Sequence, residues 1–398
     1  MSNGNVKSGG ILDNDLYKFT MKQLIDDIQP EATASYKFYC RTPVEFNAEF
    51  VDRLNQIINN YCLQTILMPD ECTESLKRLC PYFSDGFIDK IINCNLLSPD
   101  SVKCSLDGSK LDITIDGLWS DVILWEVPLM AIISELYFDL IDTNWTNDVT
   151  SIFNIAREKA IKLDNAGCKF ADFGTRRRRS FDTHNIVLDA LTSIDSDRFI
   201  GTSNLALAMM RNIKPVGTMA HEFIMGVSGI YNDVRHANKI AMDLWNVYYD
   251  DNLSIMLTDT FTTDLFLKDF DFHIANKYSG VRQDSGDPFK FATKIIDHYT
   301  NLDIDPSTKT IVFSDGLSPR SAINIHEIFN DKINCVFGIG TNFTNDFKGS
   351  KPLNMVIKLD KINDINVCKI GDGHGKETGD KETIKLVKSI IKGDTNGQ

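Results

Sequence analysis

The 398-residue sequence predicts an α/β fold built around a parallel α/β barrel, on three observations. First, seven short apolar runs each end in a cluster of Gly, Ser, Thr, Asp or Arg. The clusters are DFGTRRRR (Asp172–Arg179), GTSN (Gly201–Asn204), GTMAH (Gly217–His221), LTDT (Leu257–Thr260), GVRQDSGD (Gly280–Asp287), SDG (Ser314–Gly316) and GIGTN (Gly338–Asn342). An eighth run, LNMVIKL (Leu353–Leu359), follows without such an ending. Second, apolar runs of this length read as parallel strands buried on both faces. Third, helical stretches such as Asp182–Ile194 and Pro288–Tyr299 lie between the runs, the βα alternation of a parallel sheet. A parallel barrel places its chemistry where its strands end, so the polar clusters also mark the expected site.

In chain order, residues 1–10 are polar and glycine-containing, and are expected to be disordered. Ala34–Cys40 and Leu111–Ile115 alternate as strands, and Phe50–Leu67 has the spacing of an amphipathic helix. Ile123–Leu136 reads as a strand leading into a helix, with Pro128 placed for a first helical turn. Ile152–Asp164 is a further helix. The barrel-like series runs from about 168 to 359. A polar, hairpin-like stretch (GDGHGKETGDKE) and a short basic helix (Thr383–Ile391) follow it.

The length suits two domains, and 42% hydrophobic with 24% charged residues is ordinary for a globular enzyme. A net charge of -13 argues against a nucleic-acid or membrane-surface binder. It leaves room for an anionic ligand at a locally basic site. The nine cysteines form no CxxC pair, which disfavours a zinc ribbon or a disulfide scaffold and points to a reducing, cytoplasmic setting. The start of the chain lacks a signal pattern, and no run is long and apolar enough for a membrane helix.

Several clusters carry chemistry. Arg176–Arg179 is either a solvated charge run or a phosphate site, and four cations at a helix start oppose the helix dipole. Gly340 and Thr341 in GIGTN, with Asp315 and Gly316 in SDG, suit a phosphate cradle at the ends of late strands. Arg282 and Asp284 offer a cation and a carboxylate for a pyrophosphate, ribose or magnesium, while Asp287 serves as a helix N-cap. His221, at a strand end, is placed for nucleophilic or acid–base work. Asp259, at the end of the next strand, is the candidate to hold one of its ring nitrogens. The other six histidines show no comparable setting.

Taken as an ordered set, LDNDLYKFTM (Leu12–Met21), ILWEVPL, DFGTRRRRS, GTSN, PVGTMAHE, LTDTFTTDLFLKDF, GVRQDSGDP, FSDGLS, FGIGTN and KPLNMVIKL closely resemble nicotinate phosphoribosyltransferase of the bacterial type. The resemblance spans roughly residues 10–360. It implies an irregular TIM-like α/β barrel over about 131–359, with an N-terminal α/β domain (1–130) completed by about 360–398. It implies transfer of a phosphoribosyl group from phosphoribosyl pyrophosphate to nicotinate, coupled to ATP hydrolysis with Mg2+. His221 would be the phosphorylated histidine and Asp259 its orienting carboxylate. A homodimer is implied, in which Tyr17 of one subunit and Phe173 of the other sandwich the pyridine ring. By the same resemblance, Arg282 would meet the nicotinate carboxylate, and Arg41 and Arg176 the pyrophosphate. Asp284 would serve magnesium or the ribose, and Asp315, Gly316, Gly340 and Thr341 the 5′-phosphate. Related nicotinamide enzymes carry Asp where this chain has Ser203, so Ser203 implies an acid substrate. Nicotinamide- or quinolinate-using relatives are the alternative, and a silent phosphosugar-binding barrel is a third.

Overall fold

The structure is a computed structural model that describes residues 8–61, 69–93, 96–145, 148–349, 351–373 and 375–395. Residues 1–7, Cys62, Cys94 and His374 lie outside the described residues. So does the end of the helix expected over Phe50–Leu67, whose described part is Ala48–Tyr61. Residues 8–10, expected to be disordered, are instead buried, and the Tyr61 hydroxyl donates to Gly10 O at 2.9 Å.

The described strands, in chain order, are β1 (Thr33–Cys40), β2 (Val102–Asp107), β3 (Lys110–Leu118), β4 (Lys169–Asp172), β5 (Phe199–Thr202), β6 (Ile255–Leu257), β7 (Gly280–Gln283), β8 (Thr310–Phe313), β9 (Asn334–Ile339), β10 (Met355–Ile362) and β11 (Ile365–Asn366). They form two sheets. One is antiparallel, in the order β11-β10-β1-β3-β2. The other is parallel, in the order β5-β4-β9-β8-β7-β6.

Six of the apolar runs are therefore parallel strands, buried through Phe170, Ala171, Val281, Ile311, Phe313 and Phe337. The eighth run is a correction. Leu353–Leu359 does not join the parallel series, because β10 pairs antiparallel with β1, Phe38 opposite Ile357. Its residues show why: Met355, Ile357 and Leu359 are buried while Val356, Lys358 and Asp360 are half-buried. That alternation belongs to a strand with one covered face.

The run before His221 is a second correction. Lys214–Ala220 forms no strand, since Pro215 has no N–H to give to a ladder. The segment still lies along β5: Thr202 N donates to Lys214 O at 3.2 Å and Val216 N to Thr202 O at 2.9 Å. On its other side the Thr218 hydroxyl donates to Ile255 O of β6 at 2.8 Å. It thus runs between the two outer strands of the parallel sheet. Gly201 permits the approach. It sits at φ +136, and a Cβ there would lie 1.9 Å from Lys214 O. Gly201→Ala is expected to cost about 2–4 kcal/mol through strain and overpacking, read as a lowered urea midpoint with an unchanged slope.

A third correction concerns Ile123–Leu136. No strand precedes the helix: Ile123–Trp125 is a 3₁₀ turn and the helix is Glu126–Leu140. This helix is apolar around most of its circumference because it is buried on nearly every side. The helix Leu16–Ile28 is likewise enclosed, with every residue from Leu16 to Ile25 buried, including Lys18 and Lys22. Asp287 caps Pro288–Asn301 as its sequence suggests, accepting from the N–H groups of Phe289 and Lys290. Among the described residues no helix is long and apolar enough to cross a membrane.

Candidate active site

The C-terminal ends of the parallel strands surround a cavity of about 280 Å³. Tyr17, Phe173, Arg176, Ser203, Arg282, Asp284, Gly316, Gly340 and Thr341 all line it, together with Asp15, Arg177 and Ser314. Nine of the residues singled out in the sequence, from six separate segments, therefore meet at one place. Phe173 follows β4, and its N–H donates to Ile339 O at 2.9 Å. Its ring packs where a side chain on residue 338 would stand, a Cβ on Gly338 lying 2.4 Å from it. Tyr17 and Phe173 of the same chain both line this cavity.

The four-arginine run divides. Arg176 and Arg177 reach the cavity. Arg178 turns into the core and pairs with both carboxylate oxygens of Asp13, at 2.7 and 2.6 Å. Arg179 is also fully buried, its guanidinium 3.8 Å from the Phe138 ring centre and 4.5 Å from that of Trp145. This is an aromatic cage rather than an anion site. Burial pushes its pKa down to about 10. Arg176 stands 3.6 Å from Glu126. Glu126 in turn shares Lys18 with Glu222, each contact at 2.5 Å. Sequence reasoning missed this buried cluster because its members come from distant segments of the chain.

Arg282 projects from β7. Its Nη1 donates to Met219 O at 3.0 Å and its Nη2 lies 3.5 Å from Asp284. Its buried Nε has no hydrogen-bond partner among the described residues. Asp284 accepts from the Ser314 hydroxyl at 2.8 Å. Burial opposes its ionisation, but the Arg282 guanidinium and the His221 hydrogen bond hold its carboxyl well below the usual range.

His221 opens the helix His221–Ile230 behind the cavity and is buried. Burial, and then the Lys369 ammonium, push its pKa down to about 4, so the ring is neutral at pH 7. Its Nδ1 lies 3.1 Å from the Thr260 hydroxyl. Its Nε2 lies 3.0 Å from Asp284 Oδ2 and 2.7 Å from Lys369 Nζ. The hydrogen bond expected from Asp259 is absent. Asp259 is 3.8 Å from Nε2 and instead receives the Ser285 hydroxyl and Lys369, the latter at 3.1 Å. Ser285 reaches Asp259 first because β6 and β7 are adjacent parallel strands whose loops leave side by side.

Two further residues are placed elsewhere. Arg41 is exposed at the end of β1 and lines a separate cavity of about 470 Å³ with Tyr39 and Thr378, so it does not reach the main cavity. Asp315 pairs with Lys376 and is not on the cavity wall, whereas its neighbour Gly316 is. Ser203 is in place, but its hydroxyl donates to Asp15 Oδ1 at 2.7 Å, and Asp15 itself faces the cavity. That corner therefore holds a carboxyl despite the serine, and burial raises its pKa. His184, unremarkable in sequence, meets Asp172 at 2.7 Å behind β4, both fully buried. Among the described residues no group of three or more His, Cys, Asp or Glu is arranged to hold a metal ion.

A parallel sheet whose strand ends gather arginines, glycines and two aromatic rings around one cavity defines an enzyme that binds an anionic, flat substrate. The comparisons specify it. Residues 12–134 match the profile of the nicotinate phosphoribosyltransferase (NAPRTase) N-terminal domain, and residues 168–393 match that of the NAPRTase family. The chain is 41% identical to a nicotinate phosphoribosyltransferase of Methanosarcina acetivorans, over 96% of this chain and 97% of the other. It is 39% identical to that of Saccharomyces cerevisiae, over 98% and 96%. The crystal structure of nicotinate phosphoribosyltransferase from Porphyromonas gingivalis superposes with a TM-score of 0.92, at 35% identity, covering 98% of this chain and 100% of that one. The chain belongs to the nicotinate phosphoribosyltransferase family of enzymes.

Proposed function

We propose that this chain transfers a phosphoribosyl group from phosphoribosyl pyrophosphate to nicotinate, giving nicotinate mononucleotide and pyrophosphate, and that ATP hydrolysis drives the transfer through phosphorylated His221. The observation that carries the reading is the single cavity in which Tyr17, Phe173, Arg176, Arg282, Gly316, Gly340 and Thr341 meet, with neutral His221 against its wall residue Asp284. A flat aromatic acid fits between two rings, and its carboxylate fits the Arg282 guanidinium, whose side chain lines the cavity. At C1 the bond to the nicotinate nitrogen forms as the bond to the pyrophosphate oxygen breaks. Arg176 and Arg177 stand ready to stabilise the charge that leaves, which is where catalysis gains most.

Magnesium belongs to this reading as an ion carried by substrate phosphates, for which one or two protein carboxylates suffice. Asp284 is the carboxylate that would hold it, and the bound ion would supply positive charge against the pyrophosphate. The parallel sheet is read as an irregular barrel, because Lys214–Thr218 bonds to both β5 and β6. A homodimer with active sites shared at the interface is proposed, to be read by sedimentation. A cytoplasmic setting is supported by the free thiols of all seven described cysteines.

The deciding test is pyrophosphate release with nicotinate, nicotinamide or quinolinate, each with and without ATP. Turnover with nicotinate that ATP stimulates is expected; turnover with nicotinamide alone would remove Ser203 from specificity. His221→Ala is expected to lose ATP stimulation while retaining slow, ATP-independent transfer. Intact ATP coupling in that variant would mean that another group accepts the phosphoryl.

A further inference from the structure

The stretch after β11 is fastened across the strand ends. Ile370 N donates to Thr260 O at 2.8 Å. Asp372 accepts from the Thr263 N–H at 2.8 Å and hydroxyl at 2.6 Å, and its own N–H donates to the Ser285 hydroxyl at 2.8 Å. Lys369, paired with Thr378 across a short antiparallel bridge, is thereby set against His221 with its side chain 7% exposed. Its ammonium lies 2.7 Å from Nε2.

The two close neighbours of Nε2 require opposite protonation of a neutral ring. An ammonium is a donor only, so Lys369 needs the lone pair on Nε2 and the proton on Nδ1. A carboxylate is an acceptor only, so Asp284 Oδ2, at 3.0 Å, needs the proton on Nε2. Thr260 does not decide, because its hydroxyl serves Nδ1 as donor or acceptor. Asp284 has Ser314 and Arg282 as other partners, and the Lys369 contact is the shorter one.

We propose that Lys369 is a positioning residue that holds His221 as the Nδ1–H tautomer, with Nε2 as the nucleophilic nitrogen, and then retains the phosphoryl group placed there. The proposal rests on the ATP-coupled reading above. In the step itself the Nε2–phosphorus bond forms, and the bond from phosphorus to the β,γ-bridging oxygen of ATP breaks. ADP leaves with that electron pair, and the ring proton stays on Nδ1 against Thr260. The lysine stem is long and flexible, so its ammonium passes from Nε2 to a phosphoryl oxygen without backbone movement. Without Lys369, Asp284 takes the Nε2–H form and the nucleophile is capped.

Nitrogen NMR on histidine-labelled wild-type enzyme without nucleotide, assigned by comparison with His221→Gln, reads the tautomer directly. A proton on Nδ1 and a bare Nε2 are expected; an Nε2–H signal overturns the proposal whatever ATP does. Lys369→Met is expected to move the proton to Nε2. It should also slow acid-labile labelling from γ-labelled ATP by about 100-fold or more, as loss of one preorganised charged donor does. Lys369→Arg should recover part of the labelling. Labelling of Lys369→Met at the wild-type rate overturns the retaining role. Wild-type enzyme that never takes the label refutes the ATP-coupled reading instead, and the tautomer measurement still judges Lys369.

Discussion

Arg282→Ala is expected to raise the Michaelis constant for nicotinate by about 30-fold to several thousand-fold, the effect of removing one partner from a desolvated charged contact worth about 2–5 kcal/mol. The guanidinium is held by Met219 O and faces Asp284. Its loss acts twice. The substrate carboxylate loses its cation, and Asp284 loses the charge that keeps it ionised. Steady-state kinetics with nicotinate varied at saturating phosphoribosyl pyrophosphate check the first effect. An unchanged Michaelis constant would place the carboxylate elsewhere. Arg282→Lys should recover little, since an ammonium is a point charge and cannot present a planar fork.

Asp13→Ala is expected to destabilise the fold by about 3–5 kcal/mol, because it leaves the buried Arg178 guanidinium without its bidentate partner. Asn204 would lose an acceptor in the same change, its side-chain amide donating to Asp13 at 2.8 Å. Urea unfolding gives the number, and a loss below 1 kcal/mol would show that Arg178 finds another partner. The double variant Asp13→Leu, Arg178→Met should recover most of the loss, since buried pairs exchange for apolar residues at little cost. The pair also sets a pH dependence. Burial works against the Asp13 anion, but Arg178 holds its pKa below the ordinary carboxylate value. A depressed folded pKa contributes stability that is complete above the unfolded carboxylate value of about 3.9 and is lost as pH falls through the folded value. Asp13→Ala should therefore flatten the acid limb of stability against pH.

Six strands of the parallel sheet were legible because buried parallel strands are continuous apolar runs and their polar ends are abrupt. Met355–Ile362 was misplaced although its alternation of buried and half-buried residues is written in MVIKLD; a run of aliphatic residues masks period two when read for length alone. Pro215 was the available sign that Lys214–Ala220 is not a strand. In the site, Tyr17, Phe173, Arg176, Arg282 and Asp284 meet at one cavity because each ends a strand or opens a helix at the same face. Arg178 and Arg179 could not be told from Arg176 in sequence, since side chains at successive turn positions point in different directions. Lys18, Glu222 and Lys369 were illegible for another reason: buried ion pairs depend on which distant segments pack together, and no local pattern records that.

The place of β10 also bears on the order of events during synthesis. β1 pairs with β3 early, but its other edge waits for β10, which leaves the ribosome roughly 300 residues later. At about 5–20 residues per second that is about 15–60 s with an unpaired strand edge open to other chains. Lys369 follows β10, so the pocket at His221 closes only after β10 has emerged. A nascent chain with every parallel strand already made is thus still without its Lys369, and a helper that shields the β1 edge should raise the yield of soluble enzyme more than one that speeds helix formation.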